Sequence, residues 1–278
     1  MENLTIVIST SPIPINPETK YIDTIINSIK ENLFIDNEYK IIIACDGTDK
    51  VNEKYNNFIE NLKNKFKTNK NISLICNKER GHLTGNLKNA VQYVETEFLM
   101  LVQHDLIFVS KINPNKIIED MINNPELKHL RFNKRDNLKQ GWDNTEKFAS
   151  KKIKGNYTYI MTESWSDQNH ICKTDYFKNI VLKNVKSKVF METILNDFAK
   201  GKHDIFGTFI IGDVGEKKKI VHLDGSETRT GSSRERYKVL RDKYLSKKSN
   251  KWFCPECNFS SRKSRHIKTH KESHLKKN

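Results

Sequence analysis

Leu4-Thr-Ile-Val-Ile8 is an uncharged, β-rich run, typical of a buried strand, and it decides the fold class. A helix is predicted after it, with Asn16 as its cap and Pro17 in its first turn. Isoleucines at the spacing of one helical face support this helix, at positions 22, 25, 26 and 29. A second apolar run, Lys40-Ile-Ile-Ile-Ala-Cys45, follows. A strand, a helix and a strand in succession predict two parallel neighbours in one sheet.

The alternation continues over the first hundred residues. The sequence predicts a third strand over Ile72–Cys76, a helix over Leu87–Val94 and a fourth strand over Phe98–Gln103. The helix between the second and third strands is indicated by large apolar residues on one face, namely Tyr55, Phe58, Ile59, Leu62 and Phe66. We therefore predict an α/β fold, a mostly parallel sheet with helices on both faces, extending to about residue 230.

Polar residues follow the predicted strands, and ligands of such sheets bind beyond the carboxyl ends of the strands. Thr10 ends the first strand, Asp46 follows the second and Asp105 follows the fourth. The turn after the first strand reads Ser9-Thr-Ser-Pro12 and lacks the close-set glycines of a dinucleotide site. The strand ends therefore predict a polar ligand site of another kind.

From Leu4 to Gly225 the chain resembles the GT-A fold sugar-nucleotide transferases, particularly inverting family-two glycosyltransferases. This resemblance implies that Thr10 and Asp46 hold the nucleotide base and that Arg80 and Asn86 border the sugar and the diphosphate. The family's Asp-x-Asp metal motif corresponds to Gln103-His104-Asp105, where one carboxylate is missing. A late family histidine corresponds to His222, which with Asp105 would bind Mn²⁺ or Mg²⁺.

Inverting glycosyl transfer needs a base that takes the proton of the acceptor hydroxyl. By its region in the resemblance this base is Glu192, and Asp167 is the second candidate. Trp165, close to Asp167, would provide an aromatic floor for a sugar ring. The alternatives are that Glu192 is a solvated helix residue, that Asp167 is a turn residue and that Trp165 belongs to the core.

Near the C-terminus, Cys254 and Cys257 precede His270 and His274 at a spacing that can close a tetrahedron around Zn²⁺. The segment resembles Cys2His2 zinc fingers, which implies a ββα fold that structural zinc stabilises. His266 with His270 is the alternative histidine pair. By the family's docking mode Lys263, His266 and Thr269 would face bases, but one finger covers only about three base pairs. Non-specific nucleic-acid tethering, a protein contact and a purely structural role therefore remain open.

The net charge is +15, which predicts attraction to polyanions. A compositional bias toward Lys, Asn and Ile is the alternative explanation. Cys45, Cys76 and Cys172 are expected to be buried free thiols in a reducing compartment. The start of the chain lacks the positive charge of a signal peptide, and the longest apolar run, Phe98–Val102, cannot span a bilayer. We expect a cytoplasmic protein without a membrane span.

The expected organisation is a transferase-like domain over 1–230, a basic helix and linker over 231–249 and a zinc finger over 250–278. The predicted function is metal-assisted transfer of a sugar from a nucleotide diphosphate to an unknown acceptor. The alternative is a catalytically inactive GT-A-like domain that accompanies a finger binding nucleic acid or protein. The incomplete motif at Gln103-His104-Asp105 is compatible with that alternative.

Overall fold

The computed structural model describes residues 3–34, 39–137 and 151–223. Within these ranges, nine strands form one sheet and two short strands form a second sheet. The strands are β1 Leu4–Thr10, β2 Lys40–Cys45, β3 Ile72–Cys76, β4 Phe98–Gln103, β5 Leu106–Phe108, β6 His129–Arg131, β7 Lys152–Lys154, β8 Thr158–Met161, β9 His170–Lys173, β10 Thr208–Ile211 and β11 Ile220–His222. The first four strands thus lie where the sequence predicts them, which confirms the opening alternation.

Helices connect the strands and cover both faces of the large sheet. They are α1 Lys20–Asn32, α2 Glu53–Phe66, α3 His82–Ala90, α4 Pro114–Asn123, α5 Thr174–Tyr176, α6 Met191–Ala199 and α7 His203–Phe206. α5 continues as a π-helical turn, Phe177–Val181, and a 3₁₀ turn, Leu182–Asn184, and a further 3₁₀ turn, Val91–Tyr93, extends α3. None of the helices in the described ranges is long and apolar enough to cross a bilayer.

The large sheet is mixed, which corrects the prediction of a mostly parallel sheet. Its strand order is β3-β2-β1-β4-β9-β6-β10-β8-β7. The first half is parallel throughout, whereas β9 pairs antiparallel with both β4 and β6, and β8 pairs antiparallel with β7 and β10. The parallel half is built from long strand-helix-strand units, which the sequence pattern detects. The second half contains strands of three or four residues, too short to show a clear period.

Apolar side chains on the two faces of the sheet form two separate cores. Along β1, Ile6 and Ile8 face the layer that contains α1 and α2, while Val7 faces the layer that contains α3 and α6. Both faces of β1 are shielded from solvent, because every residue of β1 is buried. A central strand buried on both faces explains why its sequence is a continuous apolar run and not an alternating one.

Two helix starts differ from the predictions. α1 begins at Lys20, after Thr19, and the side chain of Asn16 accepts a hydrogen bond from the backbone N of Ile13, so it closes a turn instead of capping the helix. α3 begins at His82, five residues before the predicted start. In its first turns the buried positions are occupied by Thr84 and Asn86. Because these side chains are polar, the spacing of apolar residues does not reveal that the helix begins here.

Candidate active site

Asp46 organises the loops beyond the carboxyl ends of β1, β2 and β3. Its backbone N donates to the carbonyl of Thr10, which joins the ends of β2 and β1. Its carboxylate is buried, and Oδ1 accepts hydrogen bonds from the backbone N of Gly47 at 2.9 Å and of Gly81 at 2.8 Å. Asp46 therefore fixes the loop that leads into α3, and it leaves its other carboxylate oxygen for a ligand.

A glycine at position 47 is required by the close approach of two loops. A Cβ atom on Gly47 would lie 2.3 Å from the backbone carbonyl carbon and oxygen of Glu79. Real Cβ atoms do not approach backbone atoms so closely, so any side chain here would displace the loop before α3. The Asp-Gly pair seen in the sequence thus holds this loop against the end of β2.

Asn86 lies beneath this region, with 1% of its surface exposed. Its Nδ2 lies within hydrogen-bond distance of the carbonyl of Ala44 at 2.8 Å, of Ser9 Oγ at 3.2 Å and of the carbonyl of Thr10 at 3.3 Å. Its Oδ1 accepts a hydrogen bond from Asn77 Nδ2 at 3.4 Å. Asn86 therefore ties α3 to the ends of β1 and β2, and it acts on the ligand site by positioning these strands.

A cleft of about 760 Å³ lies above Asp46. Arg80 lines it and forms an exposed ion pair with Asp49, whose carboxylate Oδ2 is 3.4 Å from Nη1. The other lining residues come from the loops after β1 and β2 and from the starts of α2 and α3: Ser11, Pro12, Gly47, Thr48, Lys50, Val51, Asn52, Glu53, Lys54, His82 and Leu83. At the edge of this region Thr10 is buried, and its Oγ1 has no hydrogen-bond partner among the described residues. The cleft is thus lined by both cations, Arg80, Lys50 and Lys54, and carboxylates, Asp46, Asp49 and Glu53.

Asp105 and His222 meet at the end of β4, on the other side of β1. The short sheet of β5 and β11 pairs His222 with Leu106, and this places His222 Nε2 3.2 Å from Asp105 Oδ2. Burial raises the pKa of the Asp105 carboxyl, but the hydrogen bond from His222 and the charge of His104 outweigh burial, so the pKa lies below its usual range. The carboxylate therefore stays ionised.

Asp105 Oδ1 is buried and has no hydrogen-bond partner among the described residues. A bare carboxylate oxygen suits a divalent cation such as Mn²⁺, provided that other oxygens complete its shell, and His222 Nε2 could join these ligands only after losing the proton that it donates to Asp105 Oδ2. In the described ranges no group of three or more His, Cys, Asp or Glu side chains could hold a metal by itself. The residues present thus fit a cation that shares its ligands with a bound diphosphate.

Gln103 replaces the first carboxylate of the family motif, and the structure shows what its amide does. Gln103 Nε2 donates to the backbone carbonyl of Asp167 at 2.8 Å, and the backbone N of Gln103 donates to Asn169 Oδ1 at 2.9 Å. An aspartate could not donate the first of these bonds. Gln103, together with Asn169, which sequence reasoning did not single out, therefore fixes the segment that carries Asp167 against the end of β4.

The two candidate bases lie close enough to interact. Burial, with the negative charge of Glu192 in the first turn of α6, raises the pKa of Asp167 to about 6, while Gln103 acts in the opposite direction. Both carboxylates are partly exposed at the surface. A partly buried carboxyl with a pKa near neutrality is suited to proton transfer.

Trp165 belongs to the core, so the prediction that it forms an exposed floor for a sugar is wrong. Its surface is fully buried, and its ring lies 5.1 Å from that of His129 and 5.9 Å from that of His170. The two histidine rings are 4.3 Å apart and also fully buried. Burial lowers the pKa of both imidazoles, that of His170 to about 4. The core beside Asp167 therefore contains two neutral histidines.

This cluster predicts a loss of stability in mild acid. The folded-state pKa of His170 lies below its unfolded value of about 6.5, so the contribution is intact above pH 6.5 and declines as the pH falls toward 4. From pH 7.5 to pH 5 we expect His170 alone to lower the free energy of unfolding by about 2 kcal/mol. Urea unfolding of the wild type and of His170→Gln at both pH values measures this difference.

The comparison with His170→Gln isolates the histidine from other titrating groups. Asp167 acts with the opposite sign, because its raised pKa makes the folded state take up a proton before the unfolded state does. An equal loss of stability in the wild type and in His170→Gln would contradict the assignment of a neutral buried imidazole.

No protein-family model and no curated protein matches the chain. Among solved structures, GalNAc-T7 with UDP, GalNAc and Mn²⁺ has a TM-score of 0.53 at 10% identity, covering 90% of this chain and 50% of that one. The mannosyltransferase PcManGT from Pyrobaculum calidifontis, in complex with GDP-Man and Mn²⁺, has a TM-score of 0.53 at 11% identity, covering 91% and 66%. The fold is that of the GT-A-type glycosyltransferases.

The S. aureus protein TarS is a further match, with a TM-score of 0.49 and 14% identity over 95% of this chain. The present chain spans 41% of the length of TarS. At these identities the property shared with GalNAc-T7 and PcManGT is the fold, which confirms the α/β architecture expected from the resemblance. The ligand roles of Thr10, Asp46, Arg80, Asn86, Asp105 and His222 remain predictions.

The zinc ligands predicted at Cys254, Cys257, His270 and His274 lie outside the described residues, as do the base-facing residues Lys263, His266 and Thr269. The same holds for the predicted linker over 231–249. Of the three remaining cysteines, Cys45 and Cys172 are buried as expected, whereas Cys76 is exposed at the end of an edge strand. This exposure corrects the prediction of three buried thiols.

Proposed function

We propose that this chain is a glycosyltransferase that transfers a sugar from a nucleotide diphosphate to an acceptor hydroxyl. The observation that carries the proposal is the pairing of Asp105 with His222 at the end of β4, with one bare carboxylate oxygen, at the same edge of the parallel strands as Asp46 and its cleft. The GT-A fold supports it, since GalNAc-T7 and PcManGT were solved with UDP or a GDP-sugar and with Mn²⁺.

In this proposal the nucleotide occupies the cleft above Asp46. The free oxygen of the Asp46 carboxylate and the unpartnered Oγ1 of Thr10 are the groups that hydrogen-bond the base or ribose. Arg80, at the cleft wall, exchanges its exposed ion pair with Asp49 for the diphosphate. Little stability is lost in that exchange, because exposed ion pairs contribute at most about 1 kcal/mol.

Asp105 and His222 would hold a divalent cation, Mn²⁺ or Mg²⁺, together with the diphosphate. Such a cation supplies neutralisation of the charge that develops on the departing nucleotide. The chain itself contributes the ionised carboxylate of Asp105. The backbone of Asp105 is held in place by a hydrogen bond of 2.6 Å from Leu223 N to its carbonyl oxygen.

For the acceptor side we assign the base to Asp167 and a tuning role to Glu192, which reverses the order of preference drawn from the resemblance. The raised pKa of Asp167 supports this assignment, because a base of pKa about 6 is ionised at neutral pH and still accepts a proton readily. Gln103 holds the Asp167 backbone and thereby fixes the segment that carries this carboxylate.

Ligand-dependent stability tests the donor site. Thermal unfolding is followed with UDP-sugars and GDP-sugars, with and without Mn²⁺, and a true donor at a hundred times its Kd adds about 2.7 kcal/mol. We expect Asp105→Asn to weaken the Mn²⁺-dependent affinity by at least about tenfold, a loss typical even of groups that only support metal ligands. The matched control is Asp175→Asn. Asp175 is an exposed aspartate that follows β9, and because β9 is antiparallel to β4, it lies at the opposite end of the strands from Asp105.

An identical Mn²⁺ effect in Asp105→Asn and in the wild type would remove Asp105 from the donor site. The alternative function, a GT-A domain that binds a nucleotide sugar without turnover, predicts the full stabilisation but no released nucleotide with any acceptor. Measuring nucleotide release beside thermal unfolding therefore separates the two functions.

We also propose that the C-terminal segment binds structural zinc through Cys254, Cys257, His270 and His274. The spacing of the four residues supports this. Metal analysis of the purified chain is expected to find one equivalent of zinc, and Cys254→Ser is expected to lose it. A zinc content that Cys254→Ser leaves unchanged would contradict the assignment. Non-specific contact with nucleic acid or protein is the role proposed for this segment.

A further inference from the structure

Two cysteines lie side by side at the ends of neighbouring strands. Cys45 ends β2 and Cys76 ends β3, and the register of this parallel pair places them directly opposite each other. The backbone N of Asn77 donates to the carbonyl of Cys45 at 2.9 Å, which extends the pairing one residue further. Neighbouring strands are about 4.7–4.9 Å apart. This spacing falls within the Cα separation of about 4.4–6.8 Å that a disulfide spans.

Both side chains point to the same face of the sheet, the face covered by α2. Cys45 belongs to the core layer formed with Tyr55 and Phe58 of α2. Leu74, two positions before Cys76 on β3 and therefore on the same face of the strand, packs against that layer too. Cys45 is buried, whereas Cys76 is exposed. The pair thus combines one thiol that an external reagent can reach with a second thiol held directly behind it.

The surroundings favour the thiolate on the exposed member. A hydrogen bond with the Cys45 thiol lowers the pKa of Cys76 to about 7, and the ammonium group of Lys63 on α2 acts in the same direction. The same contact raises the pKa of Cys45, as does its burial. A thiol that is both exposed and half ionised near neutrality reacts readily with disulfides. Cys172 differs, because it is fully buried and burial raises its pKa.

We propose that Cys45 and Cys76 form a redox-active dithiol that is oxidised to a disulfide by low-molecular-weight disulfides of the glutathione class. The Cys76 thiolate attacks one sulfur of the oxidant, whose S–S bond breaks and releases one thiol. The Cys45 thiol then loses its proton and attacks the Cys76 sulfur of the mixed disulfide, releasing the second thiol. Two protein thiols are oxidised and one external disulfide is reduced to two thiols.

The position of this pair connects it to the cleft. Cys45 immediately precedes Asp46, and Cys76 precedes Asn77, whose side chain hydrogen-bonds Asn86 and Asn89. A bond between Cys45 and Cys76 therefore crosslinks the two strands whose following loops form the cleft, and it does so without unfolding either strand.

The test uses the full chain in native buffer with graded ratios of oxidised to reduced glutathione. Free thiols are then blocked by alkylation, and tryptic peptides are mapped under non-reducing conditions. We expect a crosslink between the peptides 41–50 and 71–78, lighter by two hydrogens than their sum, while Cys172 stays alkylated. In Cys45→Ser the attack stops at the first step, so a glutathione adduct should accumulate on Cys76.

Cys76→Ser provides the complementary control, because the substituted position is exposed and the fold is expected to persist. In this variant Cys45 should remain reduced at ratios that oxidise the wild type. A wild type that carries glutathione on Cys76 without the crosslink, or that reacts at Cys172 as fast as at Cys76, would overturn the proposal.

Discussion

Asp167→Asn is expected to lower kcat for sugar transfer by about 10²- to 10⁴-fold, the range by which a positioned general base accelerates a reaction. The amide keeps the size of the side chain but cannot accept a proton from the acceptor hydroxyl. The binding of the nucleotide should change little, because Asp167 does not line the cleft above Asp46. Steady-state kinetics with the donor and acceptor found by the ligand screen measure the effect.

The pH profile identifies which carboxylate acts as the base. With a pKa of about 6, Asp167 is protonated in mild acid, so kcat/KM of the wild type should fall as the pH drops below about 6. Removing the charge of Glu192 with Glu192→Gln should lower the pKa of Asp167 and move this decline to lower pH. Loss of turnover in Glu192→Gln as large as in Asp167→Asn, without a shifted profile, would return the role of base to Glu192.

Trp165→Ala is expected to lower the free energy of unfolding by about 3–5 kcal/mol. The indole is fully buried and packs against the rings of His129 and His170, so its removal leaves a cavity that polar rings surround. Since domains of this size are stable by about 5–15 kcal/mol, the loss is a large share of the total. Denaturant unfolding at pH 8, where the histidines are neutral in both states, measures it.

Phe190→Ala is the matched control, because 83% of the Phe190 side chain is exposed immediately before α6. Its removal should change the stability by no more than about 0.5 kcal/mol. A loss below about 1 kcal/mol in Trp165→Ala would show that the indole is not the centre of this core.

Several features of the fold follow from the sequence. The four apolar runs that begin at Leu4, Lys40, Ile72 and Phe98 are strands with nearly the predicted bounds, because each run is uncharged inside and is separated from the next by a helical period. The polar residues at their ends, Asp46 among them, lie at one edge of the sheet, since parallel strands share that edge.

Other features could not be obtained in this way. The second half of the sheet consists of short strands, paired antiparallel except for β6 with β10, and this pairing depends on contacts between residues far apart in the chain. The aromatic ring close to Asp167 suggested a floor for a sugar, with a core position as the alternative, and the packing of β6 and β9 around Trp165 confirms the core position. The missing carboxylate at Gln103 was compatible with the alternative of lost chemistry, and only the structure shows that the amide of Gln103 holds the Asp167 segment.

The sequence by itself therefore determined the first four strands, the helices between them and the sheet edge at which their polar end residues lie, because periodicity and backbone preference depend on neighbouring residues. Only the tertiary structure decided that Glu192 meets Asp167 and that Cys76 meets Cys45, while it places His222 beside Asp105 as the resemblance implied. These pairs depend on strand register and on packing between layers, which bring together residues far apart in the chain and which no local pattern encodes.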